Sequence, residues 1–181
     1  MTDDAIISQT VTWINNVVIG CNFCPFAAKA MLRKSIRFIV LHEASDEIVL
    51  TTLAFESQFL DNNAAIETTL IILPEHYEDF ETYLDLVELS EELMTSLGYE
   101  GVYQLATFHP KYIFAESDEG DPANYTNRSI YPMLHILRED SITRAVESHP
   151  DADGIPQRNV DFANQKGLNY MKMLWESCLK Q

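Results

Sequence analysis

Two histidines, two arginines and one thiol are the side chains of this chain best suited to chemistry. Cys24 stands in the run Cys21-Asn-Phe-Cys24-Pro25-Phe-Ala-Ala. Pro25 suits the first position of a helix running to about Lys34, which places Cys24 at or beside its N-cap. A thiol there meets free backbone N–H groups and the positive end of the helix dipole. Both favour the thiolate, the form that attacks carbon, ligates metal or exchanges with disulfides. The competing reading is a small buried hydrophobe that happens to precede a proline. Cys21 and Cys24 also form a Cys-x-x-Cys, the spacing of thiol–disulfide exchange. In redox proteins that motif follows a strand, whereas here a helix precedes it. As half of a zinc site it lacks a second pair, which His109 or His135 would have to supply. Cys178, in the last helix, reads as a packing residue.

His109 ends an apolar strand and precedes Pro110, so it can serve as base or ligand at a strand end, or simply bond to loop backbone. His135 sits among Met133, Leu134, Ile136 and Leu137, where a satisfied core histidine is the plainer reading. It gains a catalytic role if it shares a pocket with His109. Arg128 and Arg138 are suited to bidentate recognition of a carboxylate or phosphate, or to pairing with Asp121 and Glu139. Asn124 and Tyr131 are candidate substrate contacts in the same segment. His42, His76 and His149 fall at element ends and carry no assigned role. The acidic loop Glu116–Asp121 lacks calcium-loop spacing and reads as a solvated loop. No phosphate loop, dinucleotide fingerprint or Gly-x-Ser-x-Gly elbow occurs.

The elements that must position these groups follow from periodicity. Ile7, Val11, Ile14 and Val18 repeat at helical spacing after a cap at Thr2 or Asp3, and Gly20 stops that helix. Ser35–Leu41, Glu67–Leu73 and Val102–Phe108 read as strands. Asp46–Leu60 and Glu75–Leu97 read as the helices between them. Helix-length connections imply parallel pairing, and sites in open α/β sheets lie at the carboxyl ends of strands. Tyr131–Ser148 fits a helix opened by Pro132 and broken near Glu139. The alternation Tyr131, Met133, His135, Leu137 also fits a strand, and helix is the preferred reading. A short helix from Pro156 and a last one over Leu168–Leu179, separated by Gly167, close the chain. The expected fold is α/β: one globular domain over residues 1–181, with a small, mostly parallel sheet of three or four strands covered by helices, and extra helices at both ends.

Charge narrows the partners. The net charge is −16, and no Lys or Arg falls between Phe38 and Pro110. The basic residues form two groups, Lys29–Arg37 and Lys111 onward. Such a surface repels nucleic acid and an anionic membrane face, since both need clustered cations. No apolar run approaches the roughly 20 residues of a membrane span. The start MTDDA lacks the basic region of a signal peptide. With only three cysteines in the chain, a disulfide framework is unexpected. The expectation is a cytoplasmic protein with reduced thiols and a small-molecule ligand.

Four motifs carry a resemblance: Asn22-Phe-Cys-Pro-Phe-Ala27, Phe108-His-Pro-Lys-Tyr112, Asn124-Tyr-Thr-Asn-Arg-Ser-Ile-Tyr-Pro-Met-Leu-His-Ile-Leu-Arg-Glu139 and Ile155-Pro-Gln-Arg-Asn159. Along nearly its whole length the chain resembles the bacterial domain-of-unknown-function family 1415. The resemblance implies a stand-alone bacterial protein of this length and brings no activity with it. It also implies a Cys at position 24, with an apolar residue common at position 21, which favours a single working thiol. At Ile130 the family usually carries a small residue or a proline. The reading is then a small enzyme, with Cys24 as nucleophile or metal ligand, His109 as base or ligand, His135 beside them, and Arg128 and Arg138 holding a small anion. The alternatives are a non-catalytic binding module, for a small ligand or a partner protein, and thiol–disulfide exchange through Cys21 and Cys24. Whether a metal or other cofactor takes part is not fixed by the sequence.

Overall fold

The computed structural model describes residues 1–180. Seven α-helices and four strands make an α/β fold. Helix α1 (Asp3–Trp13) starts at Thr2, whose hydroxyl accepts the Ala5 N–H. It runs straight into a π-helical segment over Ile14–Ile19. Then follow α2 (Ala27–Arg33), β1 (Ile36–Val40), α3 (Asp46–Asn62), β2 (Thr68–Ile72), α4 (Phe80–Ser96) and β3 (Tyr103–Phe108). After a short 3-10 turn (Pro122–Thr126) come β4 (Met133–Arg138), α5 (Glu139–Glu147), α6 (Ile155–Lys166) and α7 (Leu168–Ser177).

The sheet order is β1-β2-β4-β3. β1 and β2 pair in parallel, and β4 runs antiparallel to both of its neighbours. The sheet is therefore mixed, not mostly parallel. The three strands separated by helices do share one direction, but the fourth is inserted between β2 and β3. The preferred helix over Tyr131–Ser148 is corrected in the same place: Met133–Arg138 is a strand, and only Glu139–Glu147 is helical. Both faces of this short run are apolar because the strand lies inside the sheet, so its pattern matches a helix as well as a strand.

Side-chain alternation along the strands divides the core in two. Ile71, Leu73, Leu134 and Ile136 face α3 and α4, meeting Val49, Leu53, Tyr83 and Leu86. Leu70, Ile72 and Met133 face the opposite way, toward Ile6, Trp13 and Val17 of the N-terminal helices and Met171 of α7. Each fully buried side chain of this kind contributes roughly 1.5–3 kcal/mol over its exposed state. Helix α4 begins later than the pattern suggested. Tyr77 sits at φ 58, and Asp79 caps the helix by accepting the Thr82 N–H at 3.0 Å.

Gly20 closes the π-helical segment, and its φ of −62 needs no glycine. Space does: a Cβ there would lie 2.3 Å from the Asn16 carbonyl oxygen. Gly20→Ala is expected to cost about 2 kcal/mol by overpacking, read as a lowered urea midpoint. An unchanged midpoint would show that the π turn relaxes freely.

Candidate functional site

A cavity of about 860 Å³ lies on the α1 face of the sheet. Its floor is the lower half of the sheet: Thr68 and Leu70 of β2, His135 and Leu137 of β4, Gln104 and Ala106 of β3. Trp13, Ile14 and Val18 bound it from the N-terminal helices, α2 forms one wall and α5 another. Small side chains leave the room: Ala27 and Ala30 on α2, Ala106 on the floor, Ala145 on α5. Where α2 begins and α5 ends, the rings of Phe26 and His149 meet edge to face at 6.0 Å.

His135 points into this cavity because alternation along β4 puts Met133, His135 and Leu137 on one face. The Thr68 hydroxyl lies within hydrogen-bonding distance of both His135 Nε2 and the Ile136 carbonyl oxygen. A carbonyl only accepts, so the single hydroxyl hydrogen goes to Ile136 O and the hydroxyl accepts from Nε2–H. That fixes the neutral tautomer with its Nδ1 lone pair free. Burial pushes the His135 pKa down to about 4, so the ring is neutral at pH 7. Cys24 lines the same cavity.

The thiol is not at a helix cap. Pro25 and Phe26 form a turn in which the Cys24 carbonyl accepts the Ala27 N–H at 3.3 Å, and α2 starts at Ala27 with Phe26 as its N-cap. The expected helix from Pro25 is thus shortened, and the N-cap argument does not reach Cys24. All three cysteines are free thiols. Cys21 packs in the core, and burial raises its pKa, as it does that of Cys178. A π-helical segment, not a strand, leads into Cys21.

Other expected site residues have different surroundings. Phe108 faces the α1 side, so the next residue, His109, faces α4. There it is wholly buried against Phe80 and Tyr83 at ring distances of 5.1 and 4.9 Å. Its Nε2 donates to Tyr77 O, and its Nδ1 accepts the Lys111 N–H. Burial lowers its pKa, and both nitrogens are engaged. The sheet stands between His109 and the cavity that Cys24 and His135 share. Arg128 donates to Tyr112 O and Glu119 O, both at 3.0 Å, and lies over the Tyr125 ring. Asn124 is fully buried; its Oδ1 accepts from Phe114 N–H and its Nδ2 donates to Asp118 O. The Tyr131 hydroxyl donates to Gln9 Oε1. The indoles of Trp13 and Trp175 donate to the carbonyls of Arg128 and Ser129. This segment thereby ties α1 and α7 to the end of β3. Arg138 borders the cavity, but its guanidinium is committed to Leu60 O, Ile66 O and the Tyr103 hydroxyl.

The cations at the cavity are others: Lys29 and Arg33 of α2 and Arg144 of α5. Arg33 is paired with Glu67 at 2.9 Å, and Arg144 donates to Ser141 Oγ at 3.1 Å. The signal for Lys29 and Arg33 in the sequence is the basic cluster Lys29–Arg37, in which they stand one helical turn apart; Arg144 carries none. Thr68, which fixes the tautomer of His135, carries no such signal. Among the described residues, no group of three or more His, Cys, Asp or Glu side chains is placed to hold a metal ion. No helix among them is long and apolar enough to cross a membrane.

Fold and site together define an α/β protein with a mixed four-stranded sheet and a cavity on one face, bounded by a thiol and a neutral imidazole. The chain belongs to the DUF1415 family, described as "Protein of unknown function", whose model matches residues 5–173. No curated protein and no solved structure matches it.

Proposed function

We propose that the chain is a cytosolic enzyme acting on a small molecule held in the sheet-face cavity, with Cys24 as nucleophile and His135 as the base. One observation carries the reading: an imidazole fixed by Thr68 with an acceptor nitrogen free, on the floor of the cavity that Cys24 also lines. In this reading His135 replaces His109 as the partner of the thiol. The Sγ–H proton passes to Nδ1 of His135 as sulfur bonds to an electrophilic carbon of the substrate. The leaving group departs with the bonding pair and takes the proton from His135. A base with so low a pKa is weak in the empty cavity; the negative charge of a bound anion raises its proton affinity.

Alkylation tests the pair. Iodoacetamide is expected to modify Cys24 first, because Cys21 and Cys178 are buried. His135→Asn is expected to slow that modification about tenfold, equivalent to about 1.4 kcal/mol in barrier, followed by peptide mass analysis. Equal rates in the two proteins would sink the assignment of His135 as base. A carrier without chemistry is the second reading, favoured by the apolar wall of Trp13, Val18 and Leu70; an unreactive Cys24 beside retained ligand binding would decide for it.

A further inference from the structure

The cavity also carries information about what fills it. Its body is apolar: Trp13, Val18, Leu70, Ala106, Phe108 and Leu137 bound it, and such a surface recovers free energy only against an apolar ligand. Its rim is cationic in a protein of net charge −16. Of the carboxylates among the described residues only Glu67 borders the cavity, and Arg33 neutralises it at 2.9 Å. Among the described residues Lys29 makes no ion pair and the Arg144 guanidinium bonds only to the Ser141 hydroxyl, so two positive charges on these two helices have no counter-charge there. In a molecule whose surface otherwise repels anions, this is a local inversion of potential that draws an anion to the mouth.

We infer that the ligand is an amphipathic carboxylate, with its apolar body on the sheet floor and its carboxylate between Lys29 of α2 and Arg144 of α5. A carboxylate fits better than a phosphate. The mouth offers two side-chain cations and no glycine-rich loop whose backbone N–H groups would cradle a phosphate. A body of alkyl-chain or single-ring size suits the volume, since pockets of roughly 300–1,000 Å³ enclose most of a small ligand. The inference rests on the proposed site being the ligand site, but it needs neither Cys24 nor His135 to react.

The experiment is displacement of anilinonaphthalene sulfonate, itself an amphipathic anion, from the full chain by decanoate and by decanol. Decanoate is expected to displace the dye at a concentration at least tenfold lower than decanol. The double variant Lys29→Ala/Arg144→Ala changes two exposed side chains and is expected to abolish that preference while leaving decanol unaffected. Equal displacement by the two in the unaltered protein, or a preference that survives in the double variant, would overturn the inference. Ala145→Trp and Ala106→Phe fill the cavity from the wall and from the floor, with folding checked by circular dichroism. Dye binding unchanged in a folded filling variant would place the ligand elsewhere and remove the proposed function as well. A carboxylate preference beside a Cys24 that alkylates equally fast in His135→Asn would keep this inference and remove only the reaction.

Discussion

Arg138→Met is expected to destabilise the fold by about 2 kcal/mol. The guanidinium donates to the carbonyls of Leu60, Ile66 and Asn63 and to the Tyr103 hydroxyl, and stacks 5.5 Å from the Tyr103 ring centroid. It thereby ties β4 to the turn that follows α3, as the sole side-chain donor to Ile66 O and as a second donor to Leu60 O and Asn63 O. Methionine fills the volume and supplies no donor, so Ile66 O loses its partner and the Tyr103 hydroxyl loses a donor, while Leu60 O and Asn63 O keep the backbone N–H groups of Asn63 and Ile66. Each buried acceptor stranded in this way costs roughly 1–3 kcal/mol, less where water reaches it. Lysine is a poor substitute, because one ammonium cannot serve three divergent carbonyls. The measurement is the unfolding free energy from urea titration. A loss below about 1 kcal/mol would show that water takes over the carbonyls. The result also sorts two roles for this residue: a ligand-binding arginine would lower ligand affinity with stability intact.

Acidification supplies the second large effect. The folded-state pKa of His135 is about 4, against the ordinary 6.5, because burial disfavours the imidazolium. Between those values the unfolded chain binds a proton that the folded protein refuses. Stability therefore falls as pH drops from about 6.5 toward 4, and the lost contribution reaches about 3 kcal/mol below that window. His109, also lowered by burial, acts in the same direction. His42 acts in the opposite one. Its pKa is raised by hydrogen bonds to Asp3 at 2.8 Å and Glu75 at 3.2 Å, so its contribution is present at low pH and lost as pH rises through the raised value. Unfolding free energies at pH 7 and pH 4.5 are to be compared for the natural chain and His135→Asn, so that carboxylate titration common to both cancels. The variant is expected to lose about 2 kcal/mol less over that interval. Parallel curves would mean that His135 takes up its proton without cost.

Much of this arrangement was legible in the sequence, and the exceptions have physical causes. The helices over Asp46–Asn62 and Leu168–Ser177 and strands β1, β2 and β3 lie close to where periodicity put them. Strand β4 was misread because apolar residues on both faces satisfy a helical and an extended repeat alike. Its insertion between β2 and β3 depends on long-range pairing that no local pattern encodes. His109 and His135 exchanged their expected surroundings for one reason. Strand alternation turns His109 away from the side that Phe108 faces, and a strand, unlike a helix, sets His135 on an open face. In the segment from Tyr112 to Ser129, Asn124 and Arg128 suggest substrate contacts in the sequence because their side chains are rich in donors. Those donors serve the segment's own carbonyls, as Asn124 and Arg128 do. Cys24 borders the cavity, although the helix that the sequence places at it begins beyond it.

The position of β4 bears on how the chain reaches its native state. β1 and β2 can pair once α3 has formed between them, with a short loop closure. β3 has no such option, since among the described residues its only neighbouring strand is β4, which lies beyond the whole segment 109–132. Its edge stays open until that segment has ordered and delivered the last strand into the gap beside β2. Docking of β4 then satisfies two ladders at once and gives the cavity its floor. The loop-closure entropy of the segment between β3 and β4 must therefore be met before β3 gains any ladder, whereas the β1–β2 pair needs only the closure across α3.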